Sequence, residues 1–262
     1  MDNIEHISRA RLKALSALGV KKYRREAGAF LVEGETMLRE ALEAGWKALE
    51  VVATEEWLER AELIPALRAQ RARLYAGDAE ALRKLSDTVN PQSVVAAIAE
   101  RETRLADLPA AVRRIVVLAG VQDPGNAGAI VRGADAFGLD AVVLTEGSVE
   151  WRNPKVLRAS MGSCFHIPVV SDVGIEDLEK WLREKEISAI AAVAHGGQDA
   201  AHFTAPRAWA LMLGNEAAGL PEEIAARCAH RVTLLTPGRA ESLNVAVSAG
   251  VMMHVLMQNA RE

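Results

Sequence analysis

Short apolar runs alternate with longer amphipathic stretches along the first hundred residues of the chain. The runs at residues 30–32, 49–52 and 93–98 predict strands, and the periodic stretches at residues 36–44 and 55–69 predict helices. Alternation of strands with helices is typical of α/β domains, in which helices cover a sheet. We therefore expect the first part of the chain to form a small α/β domain.

The second part of the chain has more continuous apolar runs. They predict strands at residues 115–119, 141–144, 167–170, 189–194, 209–213 and 232–235, and a closing helix at residues 242–257. Strands that are apolar at every position are buried on both faces, as in a parallel sheet covered by helices. The mainly polar stretch at residues 100–109 is the candidate linker, so we expect domains at residues 1–104 and 105–262.

The composition is that of a globular protein with an aliphatic core. Half of the 262 residues are apolar, while aromatic residues make up 4%. The formal net charge of −4 argues against a basic field over the whole molecule. Seven lysines and arginines nevertheless lie between Arg9 and Arg25 with no acidic residue among them. This run is either a solvated helix face or an RNA contact. Its last part holds four RNA-binding candidates beside Tyr23, which could stack on a base: Lys21, Lys22, Arg24 and Arg25.

Several other classes of protein do not fit the sequence. Cys164 and Cys228 form no CxxC motif, and the six histidines show no HxxxH or HExxH spacing, so we expect no metal site. The amino-terminal residues carry charges throughout, unlike a signal peptide. The longest apolar stretch, residues 245–257, is too short for a membrane span. We expect a soluble, cytoplasmic protein.

Three glycine-containing loops follow apolar strands in the second part, at residues 123–128, 214–221 and 237–244. Ligands bind beyond the carboxyl ends of strands in open α/β sheets, so these loops are the candidate site. The first loop does not form GxGxxG, and no Walker lysine follows it, which argues against a nucleotide-binding oxidoreductase. GxSxG is absent as well, which argues against an α/β-hydrolase.

The polar residues in or near these loops are ambiguous when taken singly. Arg132, one turn into a helix, is either a solvated surface residue or a fixed cation that holds a phosphate. Glu216 is either a helix cap or ion-pair partner, or a site residue. Ser242 and Asn244 also suit the start of a helix. Their joint placement in strand-end loops favours one shared site.

Three segments resemble, in the same order, the motifs of the SpoU family of RNA ribose methyltransferases. They are DPGNAGAIVRGADAFG at residues 123–138, LMLGNEAAGLPEEI at residues 211–224 and ESLNVAVSAGVMMHVL at residues 241–256. Residues 20–42 resemble the opening of the substrate-binding domain that often precedes this catalytic domain. The resemblance implies an α/β protein of the SPOUT class: a small ribosomal-protein-like domain, then a parallel-sheet domain with a trefoil knot.

The resemblance also implies transfer of a methyl group from S-adenosylmethionine (AdoMet) to a ribose 2′-hydroxyl of RNA. The family's cofactor contacts match three residues here: Gly214, Leu234 and Leu243. Its catalytic positions match five: Asn126, Arg132, Glu216, Ser242 and Asn244. A guanidinium is not an ordinary general base, so we expect Arg132 to position an RNA phosphate and stabilise developing charge. Either a phosphate oxygen or a deprotonated Arg132 then accepts the hydroxyl proton.

The sequence departs from the family pattern at a few small residues. Ala127 stands where leucine is common, Gly133 where threonine is common, and Ala217 and Ala218 replace a frequent glycine. These changes bear on substrate identity more than on activity. We favour ribosomal RNA as the substrate because a substrate-binding domain is present. Transfer RNA and a non-catalytic RNA-binding role are the alternatives. The resemblance further implies a homodimer through the catalytic domain. The apolar last helix either offers a face for that dimer or only packs internally.

Overall fold

A computed structural model of the chain describes residues 4–86, 88–239 and 242–260. The chain divides into two compact units. The first unit comprises Met1–Arg101 and Arg152–Arg158, and the second comprises Glu102–Trp151 and Ala159–Glu262. None of the described helices is long and apolar enough to cross a membrane.

The first unit is built on a mixed five-stranded sheet. Its elements up to residue 101 are β1 (Glu5–His6), α1 (Arg9–Ser16), α2 (Lys21–Ala27), β2 (Ala29–Glu33), α3 (Glu35–Glu43), β3 (Ala48–Ala53), α4 (Glu55–Arg60), α5 (Ile64–Ala69), β4 (Arg73–Ala76), α6 (Ala79–Leu85) and β5 (Val94–Ala99). The strand order is β1-β4-β3-β5-β2. β1 and β3 run parallel to β4, whereas β5 runs antiparallel to β2 and β3. The prediction of an α/β domain is confirmed.

Two local predictions for this unit were wrong or incomplete. The helix predicted at residues 55–69 is two helices, because the backbone of Ala61 is extended (ψ 125°). Pro65 then lies in the first turn of α5, where its missing amide proton costs no hydrogen bond. β1 and β4 were not predicted, since β1 has two residues and β4 begins with the exposed Arg73.

The second unit is built on a parallel sheet of seven strands. The elements after residue 101 are β6 (Arg114–Leu118), α7 (Pro124–Ala136), β7 (Ala141–Thr145), α8 (Pro154–Ser160), β8 (Val169–Val173), α9 (Ile175–Glu184), β9 (Ser188–Ala192), β10 (Gln198–Asp199), β11 (Trp209–Leu213), α10 (Glu222–Ala225), β12 (His230–Thr233) and α11 (Val245–Gln258). The first part of α8, up to Arg158, belongs to the first unit. The strand order is β10-β12-β9-β11-β6-β7-β8, and each described pair is parallel.

Burial explains why the apolar pattern located this sheet correctly. Every residue of β7 and of β11 is buried, as is β6 from Ile115 to Leu118. One core cluster of this unit contains Val117 and Val143 of the sheet together with Trp181 of α9. The predicted parallel sheet with strands buried on both faces is therefore confirmed.

Candidate active site

The loops that follow β6, β11 and β12 leave the same edge of the second sheet. β12, β9, β11 and β6 are consecutive neighbours in the sheet and run parallel to one another. Their carboxyl ends therefore lie side by side, although β6 and β12 are far apart in the chain. The three glycine-containing loops of the sequence thus converge on one edge.

The carboxylate of Glu216 connects the loop after β11 to the loop after β6. It accepts hydrogen bonds from the backbone amides of Gln122 (3.2 Å) and Asp123 (2.9 Å), and from Asn126 Nδ2 (3.1 Å). Partial burial favours the neutral carboxyl. The hydrogen bonds from Asn126 and from the amides of Asp123, Gln122 and Glu216 itself outweigh burial and lower the pKa of Glu216. Glu216 is therefore a charged hydrogen-bond acceptor at neutral pH.

Asn126 extends this network to the last helix. Its side-chain oxygen accepts a hydrogen bond from Asn244 Nδ2 at 2.9 Å. Asn244 also caps α11, because its Oδ1 accepts from the amides of Ala246 (2.9 Å) and Val247 (3.3 Å). The helix-start interpretation of Asn244 is thus confirmed. The same side chain joins all three loops through Asn126 and Glu216.

Gly214, the first residue after β11, lies where no side chain fits. A Cβ atom there would stand 2.0 Å from the amide nitrogen of Leu220 and 2.1 Å from the carbonyl carbon of Gly219. The chain returns to this point because Asn215 and Gly219 exchange two backbone hydrogen bonds, of 3.0 Å and 2.9 Å. Gly219 adopts a positive φ of 70°, which closes the loop. The glycine at position 214 is therefore required by close backbone packing.

A cavity of about 590 Å³ opens beside this loop. All three predicted cofactor contacts line it, together with two of the predicted catalytic residues: Gly214, Leu234, Leu243, Glu216 and Ser242. Met252 and Ser248 of α11 line it as well. The cavity thus combines backbone groups of strand-end loops with apolar side chains. The described residues contain no group of three or more His, Cys, Asp or Glu side chains placed to hold a metal ion.

Arg132 lies on α7, apart from the hydrogen-bonded network. α7 begins at Pro124 after the cap residue Asp123, whose side chain accepts from the Asn126 amide at 2.8 Å. The Arg132 side chain is exposed and makes no hydrogen bond or ion pair with any described residue. The cation is therefore available to a ligand that approaches from outside.

Two departures from the family pattern have local packing reasons. A Cβ at Gly133 would lie 2.9 Å from the terminal methyl of Met253, so a threonine there would require that flexible side chain of α11 to move. Ala217 and Ala218 contribute their backbone amides, which donate to Asn215 Oδ1 at 3.0 Å and 3.1 Å. Because those contacts use the backbone, alanine and glycine serve equally at both positions.

The four basic RNA-binding candidates lie on α2 of the first unit and differ in environment. Lys21, Lys22 and Arg25 are exposed, and Lys22 lies 3.9 Å from Glu26. Arg24 is buried, with a relative exposure of 4%. Its guanidinium donates to the carbonyl oxygens of Leu18 and Gly19, each at 2.9 Å. Arg24 therefore holds the turn before α2 and is not available to RNA in this structure.

Sequence reasoning missed Asn215 as a residue of the site. Its side chain donates to the Gly120 carbonyl at 3.1 Å and to Glu216 at 3.4 Å, in addition to accepting from the two alanine amides. Asparagine often makes such local bonds in turns, so the dipeptide Asn215-Glu216 within a glycine-flanked loop was the available signal. His195, in the loop after β9, also lines the cavity and is exposed.

Comparison with known families matches both units of the chain. Residues 113–254 match the model of the SpoU rRNA Methylase family. Residues 9–96 match the model of the MRM3-like substrate binding domain. Among curated proteins, the chain is 32% identical over 256 residues to the 23S rRNA (guanosine(2553)-2′-O)-methyltransferase RlmP of Bacillus subtilis. That alignment covers 98% of this chain and 99% of the relative.

Solved structures show the same architecture. The AdoMet-bound rRNA methyltransferase from Sinorhizobium meliloti superposes with a TM-score of 0.88 at 29% identity, covering 97% of each chain. The SpoU methyltransferase AviRb from Streptomyces viridochromogenes, in complex with AdoMet, superposes with a TM-score of 0.86 at 28% identity. This second alignment covers 96% of this chain and 98% of that one.

Proposed function

The chain belongs to the SpoU rRNA methylase family, and we propose that it methylates a ribose 2′-hydroxyl of ribosomal RNA with AdoMet as the methyl donor. The observation that carries this proposal is the convergence of the three family motifs on one site. Glu216, Asn126 and Asn244 come from three loops and form one hydrogen-bonded chain beside the cavity.

The cavity fits the chemistry of AdoMet. Its volume of about 590 Å³ lies within the range usual for small-molecule sites. Apolar Leu234 and Leu243 offer contact area to an aromatic base, and the loop at Gly214 offers backbone polar groups at close range. These residues would hold the cofactor, which supplies an electrophilic methyl group on a positively charged sulfur.

The attacking hydroxyl must be positioned and must lose its proton. Glu216 is poorly suited to accept that proton, because its oxygens already accept four hydrogen bonds and its pKa is lowered. We assign Glu216, Asn126 and Asn244 to holding the loops, and Ser242 to orienting the ribose. Arg132, exposed and without a described partner, then positions an RNA phosphate and stabilises the negative charge that develops.

We place the boundary between substrate-binding and catalytic domains at residues 104 and 105. The two family matches, at residues 9–96 and 113–254, lie on either side of it and support this division. Within the first domain, the exposed Lys21, Lys22 and Arg25 are proposed to contact RNA. A ribosomal RNA substrate also favours a cytoplasmic location.

The substrate is tested by mapping ribose methylation in the RNA of a deletion strain against its parent. The proposal requires one 2′-O-methyl group of ribosomal RNA to disappear and to return when the gene is restored. Loss of a methyl group from transfer RNA alone would assign the enzyme to that substrate instead. If methylation of both ribosomal and transfer RNA were unchanged, the protein would instead have a non-catalytic role in binding RNA.

Asn126→Asp is expected to weaken AdoMet binding more than Asn126→Ala does. The new carboxylate would stand at about hydrogen-bond distance from that of Glu216, and like charges so close repel. Protonation of the pair relieves the repulsion, so the defect should be larger at about pH 8 than at about pH 5.5. Calorimetric titration with AdoMet at both pH values measures this. Wild-type affinity of the Asp variant at both would refute the bridging role of Asn126.

We propose that the protein forms a homodimer through the catalytic domain. Val247 and Val251 lie one turn apart on α11 and are 53% and 44% exposed, so they present an apolar strip. Replacing both with aspartate should convert the dimer to a monomer, as measured by light scattering. Val89→Asp, at a position of the first unit that is 90% exposed, is the control and should leave the dimer intact. A monomeric wild-type protein at micromolar concentration would contradict the proposal.

A further inference from the structure

A second cavity, of about 1090 Å³, lies wholly within the first unit. It runs between α1 and α6, beside the carboxyl ends of β1 and β4, and is reached from the surface. Its wall along α1 and the turn after it carries small side chains, including Ala10, Ala14 and Ala17. We call it the α1–α6 groove.

The groove carries two cations that have no internal partner. Arg9 and Lys13 are exposed, line the groove, and make no side-chain hydrogen bond or ion pair with any described residue. Their spacing of four residues places them on the same face of α1. Arg11 differs, because it pairs with the buried Glu50. Helix α1 therefore uses one of its cations internally and presents the other two to the groove.

The acidic residues of the groove are already engaged. Asp78 caps α6 by accepting a hydrogen bond of 2.7 Å from the amide of Ala81. Glu80 pairs with Lys84 at 2.7 Å. A ligand that enters the groove thus meets the unpaired positive charges of α1, whereas the negative charges are already paired or capped.

An exposed aromatic ring completes the groove. Tyr23 of α2 lines it and is 44% exposed. Aromatic rings next to cations are typical of surfaces that bind single-stranded nucleic acid, because bases stack on the ring while the cations contact phosphates. The small side chains that line the same groove leave room for flat bases.

We propose that the α1–α6 groove binds a single-stranded segment of the substrate RNA, with Arg9 and Lys13 on its phosphates and Tyr23 stacked on a base. This proposal rests on the proposed function, because it takes RNA as the substrate. It decides the role of Arg9 and Lys13, which the sequence left open, and places them in one groove with Tyr23, the stacking candidate of the basic run. Unlike Arg24, all three side chains are exposed.

The test compares two charge reversals of equal size. Arg9→Glu with Lys13→Glu changes the groove. Arg68→Glu with Arg73→Glu is the matched control, since both residues are exposed cations of the same unit that lie outside the groove and have no described side-chain partner. The probes are ribosomal RNA from the deletion strain and a polyuridine oligonucleotide, in filter-binding assays across a salt series. AdoMet binding and methyl transfer are measured in parallel.

The groove variant should lose at least about tenfold in RNA affinity and retain AdoMet binding. Its log–log salt dependence should flatten by about 1.4, because two phosphate contacts are lost. Tyr23→Ala should lower the affinity for polyuridine by roughly 5-fold to 150-fold, and Tyr23→Phe should restore it. Thermal melting would reveal whether the double charge reversal perturbs folding. If it does, the two Tyr23 variants still test RNA binding in the groove.

If the groove and control variants bound RNA with equal affinity while the wild-type protein methylated RNA, the proposed RNA binding by the groove would be wrong. The proposed function would still stand. A groove variant that binds ribosomal RNA and polyuridine with wild-type affinity would also overturn the proposal. A wild-type protein that neither binds nor methylates RNA would overturn the proposed function and the groove together.

Discussion

Arg132→Ala is expected to lower the rate of methyl transfer by about 100-fold to 1000-fold, while AdoMet affinity and thermal stability stay near those of the wild type. The side chain is exposed and has no described partner, so its removal breaks no internal contact. Arg132 is proposed to contact the RNA phosphate, so its removal affects the reaction only when RNA is bound. Loss of a group that stabilises developing charge typically lowers kcat by about 100-fold to 1000-fold. Single-turnover methylation of ribosomal RNA measures this effect.

Two further variants test whether the geometry of Arg132, and not only its charge, is needed for the reaction. Arg132→Lys keeps the charge but loses the planar, bidentate geometry, so it should recover only part of the rate. Arg183→Ala removes an exposed arginine from α9 in the same unit and should behave as the wild type. If Arg132→Ala turned over at the wild-type rate, another group would have to serve the reaction.

The second large effect is expected at Gly214. Gly214→Ala should lower AdoMet affinity by roughly 5-fold to 150-fold, because a Cβ 2.0 Å from the Leu220 amide nitrogen must displace the loop and overpacking of this kind costs about 1–3 kcal/mol. The loss should appear in calorimetry and be accompanied by a lower melting temperature.

Gly238→Ala is the matched control for Gly214→Ala. Gly238 also lines the cavity, yet a Cβ at that position meets no described atom within 4 Å. AdoMet binding should therefore survive the change. Equal effects of the two substitutions, or none from Gly214→Ala, would refute the close-packing explanation.

That the three loops share one edge of the sheet could be predicted from the sequence, whereas the strand order that brings them close together could not. Asn126 and Glu216 are 90 residues apart, and Asn126 and Asn244 are 118 apart, yet each pair is joined by one hydrogen bond. Continuous apolar runs identified the parallel strands, and loops at the carboxyl ends of neighbouring parallel strands must meet. The resemblance to the family motifs then identified the candidate catalytic residues in those loops.

Other features depend on tertiary contacts that no local pattern carries. A basic run does not reveal which of its members faces inward, so Arg24 was grouped with its exposed neighbours although it holds a turn. Apolar periodicity could not show that Arg152–Arg158 joins the first unit, because that segment lies between β7 and β8 of the second unit in the chain. A trefoil knot depends on how the chain passes through its own loops, which apolar periodicity does not report. The knot therefore stays a prediction from the family resemblance.

The most direct measurement is methyl transfer by the purified protein from labelled AdoMet to ribosomal RNA of the deletion strain, followed by mass spectrometry of the nucleosides. The account predicts one nucleoside with the added methyl group on its ribose, formed at equal rates by the wild type and by Arg183→Ala and about 100-fold to 1000-fold more slowly by Arg132→Ala. A methyl group on a base, or no transfer by the wild type to ribosomal RNA, would contradict it.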